Sequence, residues 1–297
     1  MPCTLKISLL GLALTFSVFS VYSAPALAWG AQGHRITGLV ANALLTPQSR
    51  AALRQLLGTD NVADEANWLD QNRALLASRM PGSPQWHYDN IPLCTAATHD
   101  GYCPDGRCAT SALERFMAVL HDPDASQEDK RLAVRVVIHV AGDLSQPLHA
   151  ADNHDKGGND IHVTFAGQQT TLHALWDTTL VKRAVRGQSE ATFAERLLTD
   201  FAPHFDEWHQ GTPDQWAHEA NAIARAMTYG DLPGGLVCPA TTAGIQIDIP
   251  LAYADETAPI LRQQLAVGGV HIAALLNQAF ADFQGQNVLP ENANPDR

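Results

Sequence analysis

Basic charge is scarce in this chain: lysine and arginine together number 19 against 31 aspartates and glutamates, a formal net charge of −12 at pH 7. That balance excludes a protein that grips duplex nucleic acid through a broad basic patch. It leaves phosphate chemistry open, because bound divalent cations create a local anion site even in an acidic protein. Long apolar runs are missing beyond the amino terminus, so nothing there is suited to cross a bilayer. Paired Cys-x-x-Cys knuckles are absent as well, which weighs against a structural zinc ribbon. No internal repeat and no linker composition divides the 297 residues, so one mostly α-helical domain is expected.

The one long apolar stretch, 7–21, follows a single charge at Lys6 and leads to Ala26-Leu27-Ala28, an A-x-A cleavage pattern. Residues 1–28 therefore read as a signal peptide, with a mature chain starting at Trp29 and exported to the periplasm or the medium. An uncleaved membrane anchor is the competing reading, and the Ser and Thr within the run weigh against it. Cysteine usage agrees with export. Cys3 leaves with the leader, and Cys94, Cys103, Cys108 and Cys238 form an even set suited to two disulfides in any of three connectivities. The folded domain is expected over 29–285, followed by a loose polar tail at 286–297.

Helices are expected at 36–45, at 47–57 with Thr46 as cap and Gly58 as stop, and at 62–76 as one piece. The Pro-, Gly- and Cys-rich stretch 80–108 reads as irregular. Ser111-Ala-Leu-Glu114 opens a helix to about His121, and Ser126-Gln-Glu-Asp129 opens a central one. A short hairpin is expected from 161–165 and 169–172. Further helices should cover 173–185, 190–210, 214–227 and 255–283, with an irregular loop over 230–250.

The chemistry gathers in His139-Val-Ala-Gly-Asp143-Leu-Ser-Gln-Pro-Leu-His149 and the Asp-Lys-Gly-Gly-Asn159-Asp160 that follows. Residues 132–140 form an apolar, buried type of helix, yet His139 and Asp143 share one of its faces. An ionised carboxylate there is costly unless paired or bound to metal. Pro147 should end the helix and leave His149 at the start of a loop. Leu172-His173-Ala-Leu-Trp-Asp177 repeats the i, i+4 pair. Two such pairs and an extra histidine point to a site for more than one ion, and nitrogen and carboxylate donors without a free thiolate favour zinc.

Of the 13 histidines, His99, His121, His204, His209, His218 and His271 read as surface or ordinary packing. His154 and His162 are intermediate. The sequence Asp152-Asn-His-Asp155-Lys-Gly looks like a calcium loop but lacks the closing Glu.

As an ordered set, Trp-Gly-x-x-Gly-His from Trp29, Trp-x-Asp-x-x-Arg from Trp68, Trp86-His87-Tyr88, His-x3-Asp-x5-His, Gly-Gly-Asn-Asp and His-x3-Asp span most of the mature chain. With them the chain resembles the type I nuclease family, the zinc-dependent single-strand nucleases of the S-one/P-one type. More distantly it is similar to bacterial zinc phospholipase C of the same fold. The resemblance implies a mainly α-helical, phospholipase C/P-one nuclease-like domain with three zinc ions in a cleft. It assigns Asp70, His87 and His139 to one ion, with Asp143 bridging to a second. That second ion is held also by His34 and by the free α-amino group and carbonyl of Trp29, so that leader removal is part of activation. His149, His173 and Asp177 hold the third.

The same resemblance implies that Arg73 balances charge on the phosphate, that Tyr88 stacks on a base, and that Asn159 and Asp160 read the base edge. The chain departs from the family at Asn90, where an acid is common, while Asp89 stands just before it; the catalytic assignment falls on Asn90, with Asp89 the open alternative for assisting the water or the substrate. The resemblance also supports the pairs Cys94–Cys238 and Cys103–Cys108. The implied activity is hydrolysis of single-stranded DNA and RNA to 5′-phosphorylated products, with removal of 3′-phosphates from nucleotides. Neither stable membrane association nor an obligate protein partner is expected. Two rivals stand beside this reading: a phospholipase C or phosphomonoesterase on the same metals, and a non-enzymatic zinc store.

Overall fold

The computed structural model describes residues 29–238 and 246–284. The leader expected over 1–28 and the tail expected from 286 lie outside them. The central helix, Gln127–Asp143, starts where Ser126 accepts a hydrogen bond from the backbone N–H of Asp129, and Glu128 and Asp129 occupy its first turn. Both features complement the exposed N–H groups and positive end of a helix. From Val136 to Asp143 every residue is buried, so the segment is enclosed on all sides. The helix stops at Asp143, four residues before Pro147. Pro147 instead opens a 3-10 turn, Pro147–Ala150, in which Gln146 caps Leu148; His149 therefore sits in a compact turn rather than in a loop.

The helix Ala31–Leu44, the central helix and the long helix Leu251–Ala279 all pack against one another. Gly268 and Gly269 make that approach possible. A Cβ on Gly269 would overlap Val40, and one on Gly268 would stand 2.6 Å from Ser145 Oγ. Apolar residues of these helices and their neighbours fill two core clusters, one around Leu113, Val137 and Ala141, the other around Trp176, Phe193 and Leu265. The mainly helical class expected from the sequence is what the chain adopts.

Several boundaries differ from expectation. The stretch 62–76 is three short helices, Val62–Glu65, Trp68–Gln71 and Arg73–Arg79. At the breaks, Asn67 Nδ2 donates to Ala31 O at 3.1 Å and Asn72 Nδ2 donates to Trp68 O at 2.8 Å. Asparagine side chains compete with the helical ladder in this way. The stretch 80–108, expected to be irregular, holds a 3-10 helix Ser83–His87, a short helix His99–Tyr102 and a 3-10 turn Pro104–Gly106, and the helix that follows, Ala109–His121, is capped at Cys108 rather than at Ser111. Pro203 divides 190–210 into Glu190–Phe201, a 3-10 turn Ala202–His204 and Phe205–Trp208. The helix Pro213–Ile223 carries a Thr212/Gln215 capping box and runs on as a π turn, Ala224–Thr228. The last helix begins at Leu251, ahead of the expected Asp255.

The hairpin pairs β1 (His162–Phe165) with β2 (Gln168–Thr171), antiparallel, through Ala166 and Gly167 at φ 50° and 77°. Two left-handed residues are what a two-residue I′ turn needs. A third strand, β3 (Gln246–Ile249), pairs parallel to β1, so 230–250 is not irregular throughout. Its Gln-Ile-Asp-Ile alternation is only four residues long and was outweighed by the Gly and Pro around it. Disulfides join Cys94 to Cys238 and Cys103 to Cys108. Among the described residues no helix is long and apolar enough to cross a membrane.

Candidate metal centre

His139 and Asp143 stand one turn apart at the buried end of the central helix, both fully enclosed. His139 Nδ1 lies 2.7 Å from the carbonyl oxygen of Ala66. A carbonyl can only accept, so that nitrogen carries the proton and Nε2 presents its lone pair inward. The carbonyl is available because the chain breaks at Asn67; in an unbroken helix it would be committed to the N–H of Asp70. His149 Nδ1 donates to His87 O and His173 Nδ1 donates to Gly157 O, each at 2.7 Å. Their Nε2 atoms then face each other as two lone pairs at 3.2 Å. Two acceptors so close in a dry interior repel unless a cation lies between them.

Asp143 is the hub. Its Oδ1 is 3.2 Å from His34 Nε2, and its Oδ2 is 3.0 Å from His87 Nδ1 and 3.4 Å from His139 Nε2. Asp70 Oδ1 approaches His139 Nε2 at 3.7 Å and His87 Nδ1 at 3.9 Å. Across the cleft, Asp177 Oδ2 lies 3.2 Å from His173 Nε2, while its Oδ1 accepts from Gln146 Nε2 at 2.7 Å. Three groups in the cleft thus have donor atoms within 4.8 Å of one another: Asp70, His87 and His139; His34, His139 and Asp143; His149, His173 and Asp177; a fourth such group, His99, Cys103 and Cys108, is spent on the Cys103–Cys108 disulfide. Both ring nitrogens of His34, and Asp70 Oδ1, Asp143 Oδ1 and Asp177 Oδ2, are buried without a hydrogen-bond partner. Orphaned buried acceptors at this density fit divalent ions.

The local electrostatics agree. Burial, then the charges of His139, His149 and His87, push His34 well below the ordinary histidine range. Burial also lowers His87, His139 and His149. For His173 burial pushes down, but the Asp177 carboxylate and the Gly157 carbonyl outweigh it and raise the imidazole. Burial, reinforced by Asp70 and Asp177, raises the Asp143 carboxyl well above the usual carboxylate range, with Arg73 opposing. Burial raises Asp177 too, against the pull of His173. Imidazoles that burial keeps from protonating at His34, His87, His139 and His149, set around carboxylates that favour a positive partner, form a cation site.

The other expected residues surround this core. Arg73 is half-buried, and its charge reaches His87, Tyr88, His139, Asp143 and His149. Tyr88 is half-buried directly after His87, its phenol pushed up by burial. Trp29 is fully buried; its Nε1 donates to Ser145 Oγ at 2.9 Å, and the adjoining Gly30 N–H donates to Asp177 O at 2.9 Å. Asn90 is exposed, whereas Asp89 is buried, accepts from Thr110 N at 3.2 Å and donates its own N–H to His149 O. Asp89 therefore anchors the start of the helix Ala109–His121. Asn159 Nδ2 donates to Lys156 O and Asp160 pairs with Lys156 at 3.0 Å, both partly exposed. Sequence reasoning missed Gln146, Ser145 and the Ala66 and Gly157 carbonyls. Gln146 sat in plain view between Asp143 and His149; backbone carbonyls leave no sequence signal.

Histidines and aspartates converging from separate helices, with an arginine beside them, define a metal-dependent hydrolase. The profile of the S1/P1 Nuclease family matches residues 29–281. Nuclease S1 of Aspergillus oryzae is 28% identical over 301 residues, covering 93% of this chain and 98% of that protein. Nuclease P1 of Penicillium citrinum is 28% identical over 274 residues, covering 84% and 97%. Endonuclease 2 of Arabidopsis thaliana is 28% identical over 294 residues, covering 90% and 96%. The chain belongs to the S1/P1 nuclease family. It is a hydrolase of phosphodiester bonds, and nucleic acids are its substrates.

Proposed function

We propose that this nuclease is exported, holds three zinc ions per chain and cuts single-stranded DNA and RNA to 5′-phosphorylated ends, removing 3′-phosphates from nucleotides as well. The observation that carries the proposal is the convergence of His34, His87 and His139 on the two oxygens of one buried carboxylate, Asp143. A carboxylate addressed on both oxygens suits a ligand shared by two ions. Asp70, His87 and His139 would hold the first ion, and Asp143, His34 and the Trp29 amine and carbonyl the second. His149, His173 and Asp177 would hold the third. Zinc bound there supplies Lewis acidity and an acidified water at neutral pH.

The chain's own residues do the rest. Arg73 offsets charge that develops on the phosphoryl oxygens. The half-buried ring of Tyr88 offers a face on which an unstacked base can lie, which favours single strands over duplex. Asn159 and Asp160 would hydrogen-bond a base edge, and the exposed Asn90, two residues after Tyr88, would take part beside them. Export is supported by the two disulfides, which persist in oxidising compartments. The lipid reading draws no support from the surface: among the described residues the exposed large apolar side chains are Leu75, Val237 and Leu251, on separate elements.

The test is hydrolysis of single-stranded DNA by protein with a verified Trp29 amino terminus, with metal content measured before and after chelation. Activity that vanishes with zinc and returns with about three ions per chain is expected. Alanine at Asp143 should cut the rate by at least about a thousandfold, more than loss of one charge-stabilising donor costs. Full activity in a zinc-loaded Asp143→Ala protein sinks the shared-ligand reading.

A further inference from the structure

His173 is aimed by a carbonyl that belongs to an unusual loop. Between Asp152 and Asp160, His154, Lys156, Gly157 and Gly158 all have positive φ, from 56° to 79°. For His154 and Lys156 that conformation is unfavourable and must be imposed by the surroundings. Gly157 has no freedom to drift, since a Cβ there would stand 2.5 Å from Leu148 O, next to His149. The Gly157 carbonyl accepts from His173 Nδ1, and the Gly158 carbonyl accepts from the His173 backbone N–H at 3.3 Å.

What holds the loop is a buried carboxylate, Asp155. Its Oδ1 accepts from Gly158 N at 2.9 Å and from Asn153 N at 3.4 Å. Tyr229, 74 residues away, donates its hydroxyl to the same carboxylate, 3.1 Å from Oδ1 and 3.0 Å from Oδ2. Both side chains are enclosed, Asp155 at 0% and Tyr229 at 2% exposure. The tyrosine is fixed in turn. Tyr253 donates to the carbonyl of Thr228 at 2.9 Å, and Trp176 Nε1 donates to the Tyr253 hydroxyl at 2.8 Å. Trp176 immediately precedes Asp177 within the π turn Leu175–Leu180. Hydrogen bonds and short pieces of backbone together close a circuit: from Asp177 along the chain to Trp176, by hydrogen bonds to Tyr253 and on to Thr228 O, along the chain to Tyr229, and by hydrogen bonds through Asp155 to the Gly157-Gly158 backbone that holds His173.

We propose that Asp155 and Tyr229 are positioning residues that preset His173 for the third ion while leaving the other two ions untouched. The proposal rests on the three-ion reading above. It uses chemistry seen wherever a ligand imidazole is oriented by the group bonded to its other nitrogen. Neither side chain belongs to the three groups of ligand atoms; Tyr229 acts through Asp155 and the loop, and Asp155 acts through the loop and through its charge, which favours the proton on His173.

The experiment titrates zinc-loaded protein with a chelator and follows metal content per chain in the wild type, Tyr229→Phe, Asp155→Ala and the double variant. In each variant one ion should leave at a chelator concentration about 10- to 100-fold lower than in the wild type, the other two leaving as before. The double variant should match Asp155→Ala, because both changes cut one path; two independent packing defects would multiply. In a His173→Ala background, Tyr229→Phe should change nothing further. If Asp155→Ala does not fold, Tyr229→Phe, which removes one oxygen atom, decides alone. Equal loosening of all three ions, or none, overturns the proposal while the three-ion reading stands. A wild type that binds fewer than three ions overturns both.

Discussion

Ala66 and His139 are joined by a 2.7 Å hydrogen bond from the imidazole Nδ1 to the backbone carbonyl, and the bond exists because the helix around Ala66 is broken. A stretch that reads as a single helix in the sequence is interrupted at Asn67, and the interruption turns a ladder carbonyl into a partner for a ligand. Restoring the helix should therefore harm the site. Asn67→Leu is expected to weaken metal retention at the His87/His139 group by about tenfold, the usual cost of losing a histidine's orienting partner. Chelator titration checks it. Unchanged retention would mean that His139 is held by packing alone.

Arg73 separates ligand from charge stabiliser. It lies beside the ligands without belonging to any of the three groups of ligand atoms. Arg73→Ala should keep the bound metal and lower kcat on single-stranded DNA by about 10²- to 10³-fold. Lysine should restore only part of this, since it offers a point charge in place of a planar fork. Loss of metal in Arg73→Ala would move the residue to a structural role.

His271 lies far from the ligands along the chain and gives a pH signature of its own. It is buried against Trp216, the rings stacked at 3.7 Å, and burial pushes its pKa down to about 3. A histidine depressed in the folded state stays neutral there, whereas the unfolded chain takes up a proton below its ordinary value near 6.5. Its contribution is whole above that value and is lost as pH falls toward the folded pKa. The slope approaches 1.4 kcal/mol per pH unit, or about 2 kcal/mol between pH 6 and 4.5. His271→Phe should flatten the stability profile of the metal-free protein by that amount, read by denaturant unfolding at both pH values. Parallel profiles would show that His271 does not titrate on unfolding.

The two disulfides should contribute unequally. Cys94–Cys238 spans 144 residues and Cys103–Cys108 only five. Chain-entropy arguments give about 5 kcal/mol for the first and about 2 kcal/mol for the second. Paired Cys→Ser variants, compared by unfolding under oxidising conditions, should keep that order. A larger loss from the short bridge would locate its effect in the folded state, where it adjoins the helix start held by Asp89.

How much of this was legible in the sequence follows from how local each signal is. Thr46-Pro47 and Ser126 mark helix starts because a cap is written in a few neighbouring residues. His139/Asp143 and His173/Asp177 were visible as pairs because one helical turn brings them together. The way Asp70, His87 and His34 join them was carried by family resemblance, since no spacing rule brings three separate elements to one point. The break at Asn67 and the strand Gln246–Ile249 were hidden, for each depends on a distant partner: Ala31 O for the first and β1 for the second. Tyr229 gave no sign at all, because its phenol reads as core until Asp155 is seen beneath it.

The seam between Ala31–Leu44 and Leu251–Ala279 sets the dimensional tolerance of the whole centre. Gly268 and Gly269 let one helix rest almost directly on the other near Thr37 and Val40, and Thr37 Oγ1 donates to the carbonyl of His34 at 2.9 Å. Side chains meeting side chains can rock between rotamers; a helix seated on bare backbone has no such play. His34 is thus gauged from a rigid datum less than one turn away, and the gap between it and Asp143 is machined rather than adjustable.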